Sequence, residues 1–327
     1  MATRVRWGIL GTASIAMRRV VPAIRASTTG EVAAIASREL TIARNAAETF
    51  GIPVAYGSYQ ALLDDPGIDA IYIPLPNHLH MPWTLRALES GKHVLCEKPL
   101  ALSGAEVHTL WRAAQRVPYL KVMEAFMYRF QPRWLAVHAM IKSGTLGELA
   151  TVHTLFTYHN TDPADIRNQP GTGGGALLDI GCYGVSVSRW LFGRAPRAVQ
   201  GIVQRDPGFG IDRLTSAVLD FATGTATVTC ATQLPWQQHV SIVGRAGRIE
   251  VERPFNPLAD QSQGFRCFVG HDVEESVFPA SDQYALMVTA FEQAVLQDTP
   301  VPIPLDDSLA NMTVLDAVAL GSTPISS

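Results

Sequence analysis

Charge is sparse in this chain and nowhere concentrated. Charged residues make up 17% of its 327 positions, and 26 Lys plus Arg are slightly outnumbered by 29 Asp plus Glu, for a formal charge of -3. The basic residues are scattered, so the stripe that would hold a phosphate backbone is missing, which argues against a nucleic-acid partner. Cysteine is scarce as well. Cys96, Cys182, Cys230 and Cys267 stand far apart, with no pair at CxxC spacing and no histidine cluster to complete a zinc site, so neither disulfides nor a structural metal is expected. No apolar run approaches the length of a membrane span, and Met1 to Gly8 leads into a short apolar strand without a signal-peptide core. A cytoplasmic protein without a membrane partner is the expectation. Internal repeats and low-complexity segments are also missing.

What is present is core-forming material. Hydrophobic residues reach 47%, and the length exceeds what one hydrophobic core usually serves, so two domains are expected. The first part alternates: strands at 5–10, 31–37, near Val54, at 70–73, 93–96 and 120–123, with helices at 15–26, 41–50, 59–63, 82–90 and 104–115 between them. That alternation implies parallel strands with right-handed crossovers. From Leu149 the texture changes to strand-like runs at 151–158, 198–204, 215–221, 226–232 and 240–243. Hairpin signals stand at Ala222-Thr223-Gly224 and Gly244-Arg245-Ala246-Gly247, and helices at 284–297 and 308–319 close the chain. The expected fold class is α/β: a doubly wound Rossmann domain over 1–122, then an α/β domain with a large, mostly antiparallel open sheet over 123–327.

Between the first strand and first helix lies Gly11-Thr12-Ala13-Ser14-Ile15-Ala16, where a dinucleotide fingerprint belongs. Gly11 makes the tight turn, the small Ala13 lets the backbone approach a pyrophosphate, and Ala16 packs helix on strand. Alanine at the middle glycine position weakens the match, and an ordinary tight turn is the alternative. Ser37-Arg38 ends the second strand. A hydroxyl and a guanidinium suit the 2′-phosphate of NADP, while Glu39 keeps NAD open if the strand ends one or two residues later. Arg44 is a weaker phosphate candidate that equally suits a solvated helix face.

Ligands of open α/β sheets bind at the carboxyl ends of the strands. There the chain offers Leu75, Asn77 and His80 in Pro74-Leu75-Pro76-Asn77-His78-Leu79-His80, and Glu97-Lys98 in Glu97-Lys98-Pro99. Proline restricts Lys98 to an extended conformation, although Lys-Pro is often a plain strand exit. His80 equally suits a cap on the following helix. Further on, Gly173-Gly174-Gly175-Ala176-Leu177-Leu178-Asp179-Ile180-Gly181-Cys182-Tyr183 places an acid and a phenol four residues apart, on one face of a helix, behind a glycine run that reads as slack. Such a pair can handle a proton. A buried core tyrosine is the alternative for Tyr183.

In this order, these four segments resemble the glucose-fructose oxidoreductase / inositol dehydrogenase / MocA family, over nearly the whole chain. Met123-Glu124-Ala125-Phe126-Met127-Tyr128-Arg129-Phe130 and Asp165-Ile166-Arg167 are similar to the branch holding D-xylose 1-dehydrogenase and dimeric dihydrodiol dehydrogenase. Tyr183 stands where many members carry His, which points away from a close inositol dehydrogenase. The resemblance implies an enzyme that moves a hydride reversibly between a nicotinamide and a sugar-like hydroxyl or carbonyl. Lys98 maps onto the family's catalytic lysine and Glu97 onto its cofactor-contacting glutamate. Tyr183 would exchange the substrate proton. A free phenol has a pKa of about 10, so the Lys98 ammonium would stabilise the phenolate, with Asp179 orienting a substrate hydroxyl or balancing Lys98. Gly11, Thr12, Ala13, Ser14, Ile15, Ser37, Arg38, Leu75, Asn77, His80, Glu97 and Lys98 would hold the cofactor. Arg129 and Arg167 are further substrate candidates, with Trp236 and His159 behind them, each equally suited to ion pairing or packing. The family also implies a homodimer or homotetramer built through the second sheet. Two alternatives stand beside this reading: a biosynthetic keto-sugar reductase, and a nucleotide-binding sensor without chemistry.

Overall fold

The computed structural model describes residues 4–321, so Met1 to Thr3 of the N-terminal reading lie outside the described residues. In the first compact unit six strands, β1 (Val5–Leu10), β2 (Gly30–Ala36), β3 (Val54–Tyr56), β4 (Ala70–Ile73), β5 (His93–Cys96) and β6 (Val122–Glu124), lie in the order β3-β2-β1-β4-β5-β6, every neighbour parallel. Parallel strands covered on both faces need continuous apolar runs. Trp7, Ile9, Ile35, Ile71, Tyr72, Val94 and Leu95 accordingly have no exposed surface. Local signals set the helices: Ser58 caps Tyr59–Leu63 by accepting from the Ala61 N–H, and Ser103 caps Gly104–Ala114 by accepting from Glu106. The Glu106 carboxylate in turn accepts from the Leu102 N–H, one residue before the cap, at 2.9 Å.

The helix expected over 15–26 carries a π segment at Ala16–Val20 before Val21–Ala26. Pro22 explains it: its ring would clash with the Arg18 carbonyl of a regular α-turn, and the wider turn makes room.

The boundary differs from the one expected at 122. The first unit runs to Met127 and also contains Asp282–Leu309; the second holds Tyr128–Ser281 and the chain from Ala310 onward. Glu292, on the helix Gln283–Leu296, is fully buried in the first unit. Its carboxylate accepts from Trp7 Nε1 at 2.9 Å, Thr29 Oγ1 at 2.8 Å and Ser27 Oγ, while Phe291 packs 5.4 Å from the Trp7 ring. A contact across 285 residues leaves no local trace in the sequence.

The second unit is built on an eight-stranded sheet: β7 (Leu149–His159), β8 (Ala198–Arg205), β9 (Asp212–Asp220), β10 (Thr225–Ala231), β11 (Gln233–Gly244), β12 (Gly247–Glu252), β13 (Gln263–Val269) and β14 (Asp272–Phe278). Their order is β14-β13-β12-β11-β7-β10-β9-β8. Only β7 and β10 pair in parallel; the rest is antiparallel, with both expected hairpins present, β9 to β10 and β11 to β12. β13, β14 and the helix Pro132–Lys142 carried no clear periodic signal. One face is covered by the helix Cys182–Phe192, which comes so close that a Cβ at Gly184 would stand 2.5 Å from a Val228 methyl. Ile202, Val218, Val273 and Val277 are exposed. Among the described residues no helix is long and apolar enough to cross a membrane.

Candidate active site

The nucleotide turn stands at the carboxyl end of β1. Gly11 has φ +95° and donates its N–H to the Ala36 carbonyl at 2.8 Å, tying the turn to β2. A Cβ there would meet a Leu75 methyl at 3.0 Å and lie 3.7 Å from the Tyr59 hydroxyl. Only glycine allows this approach. The following helical stretch begins at Ser14, so the first N–H groups after Thr12 and Ala13 have no partner within the helix and present a positive end, the arrangement that receives a pyrophosphate. β2 ends at Ala36; Ser37 is buried and Arg38 exposed immediately beyond it. Burial raises the Tyr59 phenol while the Arg38 charge acts against that rise, which places Tyr59 within electrostatic reach of the guanidinium. These residues fit a dinucleotide, and a positive group at the end of β2 fits the extra phosphate of NADP.

At the ends of β4 and β5 the loops are tied together. His80 is 1% exposed, with Nδ1 2.7 Å from the Pro99 carbonyl and Nε2 2.6 Å from the Leu75 carbonyl. Burial pushes the imidazole down to about 4. The neutral ring carries a single N–H and donates it to one of these two carbonyls; His80 lies packed between the Leu75 loop and the Lys98-Pro99 segment, and the cofactor contact expected of its ring gives way to this internal role. Glu97 accepts from Tyr72 Oη at 2.7 Å and from the Lys98 N–H at 3.3 Å. Burial, then the neighbouring Glu97 charge, lifts the Tyr72 phenol well above its ordinary range, so it remains a donor that fixes the Glu97 carboxylate. Asn77 lies in a short 3-10 turn over Asn77–Leu79, and Lys98 is half-buried at the end of β5.

In the second unit the structure brings Asp179 and Arg167 together and adds a residue the sequence did not reveal, Tyr158. Tyr158 Oη donates to Asp179 Oδ2 at 2.6 Å, and Arg167 Nε lies 3.3 Å from the same oxygen. Arg167 also bonds Asp165 at 3.2 Å, which Asn160 holds from its far side at 2.8 Å. The Asp179 charge, ahead of every other influence, keeps the Arg167 guanidinium protonated. Burial first and Asp179 second raise the Tyr158 phenol. Asp179 thus sits as an anchored carboxylate. Strand alternation put the phenol here: Tyr158 shares the helix-covered face of β7, whereas His159 is exposed on the next position.

Tyr183 lies on the first turn of Cys182–Phe192, 4% exposed, its ring 5.0 Å from Phe255, 5.8 Å from Phe156 and 6.0 Å from Tyr128. These aromatic neighbours fix the ring. The glycine run before it is not slack. Gly173 and Gly175 have φ of +80° and +115°, and a Cβ at Gly174 would stand 2.5 Å from the Arg167 carbonyl oxygen. Gly175 is in contact with Asp212, whose side chain fills the space a Cβ would take. These are close-approach positions, and they explain the glycines better than flexibility does. Arg129 stacks 4.8 Å over the Trp190 ring, against which His138 also stacks, and Trp236 is half-exposed with Arg253 5.0 Å above it. Both thus have a packing partner of their own.

With this geometry in hand, two family models divide the chain. The oxidoreductase family with an NAD-binding Rossmann fold matches residues 5–125, and the GFO/IDH/MocA C-terminal domain matches residues 134–250. The chain belongs to the Gfo/Idh/MocA oxidoreductase family. It is 44% identical to an uncharacterized oxidoreductase of Rhizobium meliloti, with 96% of each chain covered. It is 37% identical to D-xylose 1-dehydrogenase (NADP(+)) 2 of Haloferax volcanii over 95% of each. A 3-ketoreductase from Actinomadura kijaniata, solved in complex with NADP and TDP-benzene, superposes with a TM-score of 0.89 at 35% identity, covering 97% of this chain and 98% of that one. As a Gfo/Idh/MocA member, this protein is an NAD(P)-dependent oxidoreductase with an NAD-binding Rossmann domain.

Proposed function

We propose that this Gfo/Idh/MocA protein transfers a hydride between NADP and a sugar-like hydroxyl or carbonyl carbon, with D-xylose or another aldose as the first substrates to test and a trans-dihydrodiol next. The observation that carries this reading is the anchored Asp179 carboxylate one helical turn before Tyr183, held by Tyr158 and Arg167. A fixed acceptor beside a proton-exchanging phenol suits a polyhydroxylated substrate, because Asp179 can hold one hydroxyl while Tyr183 exchanges the proton of the reacting one. Lys98 is assigned the stabilisation of negative charge developing on that oxygen, and Glu97, fixed by Tyr72, the cofactor. The nicotinamide supplies the hydride chemistry when bound; the residues supply alignment and the proton. Gly11 to Ile15, Ser37 and Arg38 hold the phosphates. The preference for NADP is supported by Arg38 and by the NADP-named relatives. A homo-oligomer through the second sheet and a cytoplasmic location belong to the same proposal.

A second reading is reduction of a keto sugar, favoured by the similarity to the Actinomadura kijaniata 3-ketoreductase. The same residues serve it with the proton and hydride moving the other way. A panel of aldoses, dihydrodiols and keto sugars, followed by NADPH absorbance with both cofactors, tests both directions. Tyr183→Phe should cut turnover by about 100-fold or more while NADP affinity stays within a factor of two to three. Unchanged turnover in that variant would remove Tyr183 from the chemistry, and silence across the panel would favour a sensor.

A further inference from the structure

The helix that carries Asp179 and Tyr183 lacks a capping side chain of its own. Helical backbone begins at Ala176, which makes Gly175 the N-cap, and its carbonyl accepts from the Asp179 N–H at 3.1 Å. An N-cap side chain ordinarily accepts from the N–H two or three residues ahead. Gly175, at φ +115°, has none to offer. The bond is made from elsewhere. Asp212, the first residue of β9, places Oδ2 2.6 Å from the Leu177 N–H and 3.3 Å from Thr215 Oγ1, and its Oδ1 stands where a Gly175 Cβ would be.

We propose that Asp212 is a positioning residue for the reaction: a cap supplied across the chain that fixes the start of the helix and so sets where Asp179 and Tyr183 point. The proposal rests on the reading of those two residues as substrate-side groups. Three observations support it. First, the carboxylate satisfies a donor that would otherwise be orphaned and sits at the positive end of the helix. Second, the turn that leads in is held from the other side by backbone: Gly175 N–H donates to the Arg167 carbonyl at 2.9 Å and Gly174 N–H to the Gln169 carbonyl at 3.1 Å. The same Arg167 reaches Asp179 through its side chain. The helix start is therefore clamped between the Arg167 loop and β9, and Asp212 is the side-chain half of that clamp. Third, the segment just after it is a π turn, Leu177–Gly181, a wide turn with Asp179 at its centre. Such a turn depends on its surroundings to choose it over a regular α-turn. Burial lifts the Asp212 carboxyl to about 6, with the Leu177 N–H the first influence to oppose it, so a costly buried acid is kept at this point.

The test compares Asp212→Ala and Asp212→Asn with the unaltered protein, using NADP and D-xylose or the most active member of the substrate panel. Removing the cap should lower kcat by about 10–100-fold, the scale of a misplacement of order 1 Å, with NADP affinity and substrate KM within threefold. Asp212→Asn, which keeps an oxygen for the Leu177 N–H, should recover most of that loss. In parallel, amide hydrogen exchange of the peptide spanning 175–183 should accelerate in Asp212→Ala and not in Asp212→Asn. A kcat within twofold of the unaltered protein despite faster exchange would overturn the proposal. So would an equal loss in both variants, or a loss matched by weaker NADP binding. If Tyr183→Phe itself leaves turnover intact, the catalytic reading has failed, while the exchange measurement still decides whether Asp212 holds the helix.

Discussion

Two glycines of the second unit separate conformational strain from crowding. Gly193, at the end of Cys182–Phe192, has φ +67° and nothing within 4 Å of the position a Cβ would take. Gly175 has φ +115° and stands against the Asp212 carboxylate. Gly193→Ala should therefore cost only the left-handed backbone penalty, about 1 kcal/mol. Gly175→Ala carries a backbone penalty at least as large, since φ +115° lies beyond the left-handed well, and must also push Asp212 away from the Leu177 N–H, forfeiting a cap worth roughly 1–2 kcal/mol, for a total of at least about 2–3 kcal/mol. In a body of this size each kcal/mol moves Tm by roughly 2–4 °C, so the expected drops are about 2–4 °C and at least about 4–12 °C. Thermal unfolding followed by circular dichroism, with NADP titrated into each variant, measures both. Near-equal shifts would show that Asp212 yields without cost, and the argument from close approach would fail.

Three other outcomes follow from the geometry. Arg38→Ala should weaken NADP binding at least tenfold, about 1.4 kcal/mol for a charge-assisted contact, and leave NAD nearly unaffected; a fluorescence titration that finds both weakened alike would take Arg38 off the 2′-phosphate. Glu292→Leu should lower stability by about 3–5 kcal/mol, since Trp7 Nε1, Ser27 Oγ and Thr29 Oγ1 lose a buried acceptor; a urea midpoint unchanged from the parent would refute that. Burial holds the His80 pKa at about 4, below the ordinary value, so its stabilising contribution is complete above pH ~6.5 and declines as pH falls toward 4. A His80→Gln variant, less stable at neutral pH, should accordingly show a shallower decline between pH ~6.5 and ~4.5, and parallel curves would count against this assignment.

How far the sequence reached depended on the range of the interaction. The six parallel strands were legible because each is a short, continuous apolar run, and Gly11 because a tight turn needs its positive φ. The helix at Ala16–Val20 was foreseen but not its π form, although Pro22 held the reason. β13 and β14 escaped: Gly264 interrupts the first, and the second is charged and mostly exposed over Asp272–Phe278, so neither presents the buried apolar run or clean alternation that marks a strand. The segment Asp282–Leu309 was placed by position along the chain, whereas Glu292 and Phe291 bind it to Trp7, a choice made by shape and hydrogen bonding between residues nearly three hundred positions apart.

The candidate site divides in the same way. By itself the sequence determined the family, the parallel sheet and the nucleotide turn, and it singled out Lys98, Asp179 and Tyr183 as the side chains proposed to carry the chemistry, because residue type and spacing within one element carry that information. Only the tertiary structure decided that Tyr158 and Arg167 anchor Asp179, that His80 is buried between two backbone carbonyls, and that Asp212 caps a helix whose own N-cap is glycine. Each of these joins groups on different elements, and a hydrogen bond between such groups exists only once packing has brought a donor within about 3 Å of its acceptor.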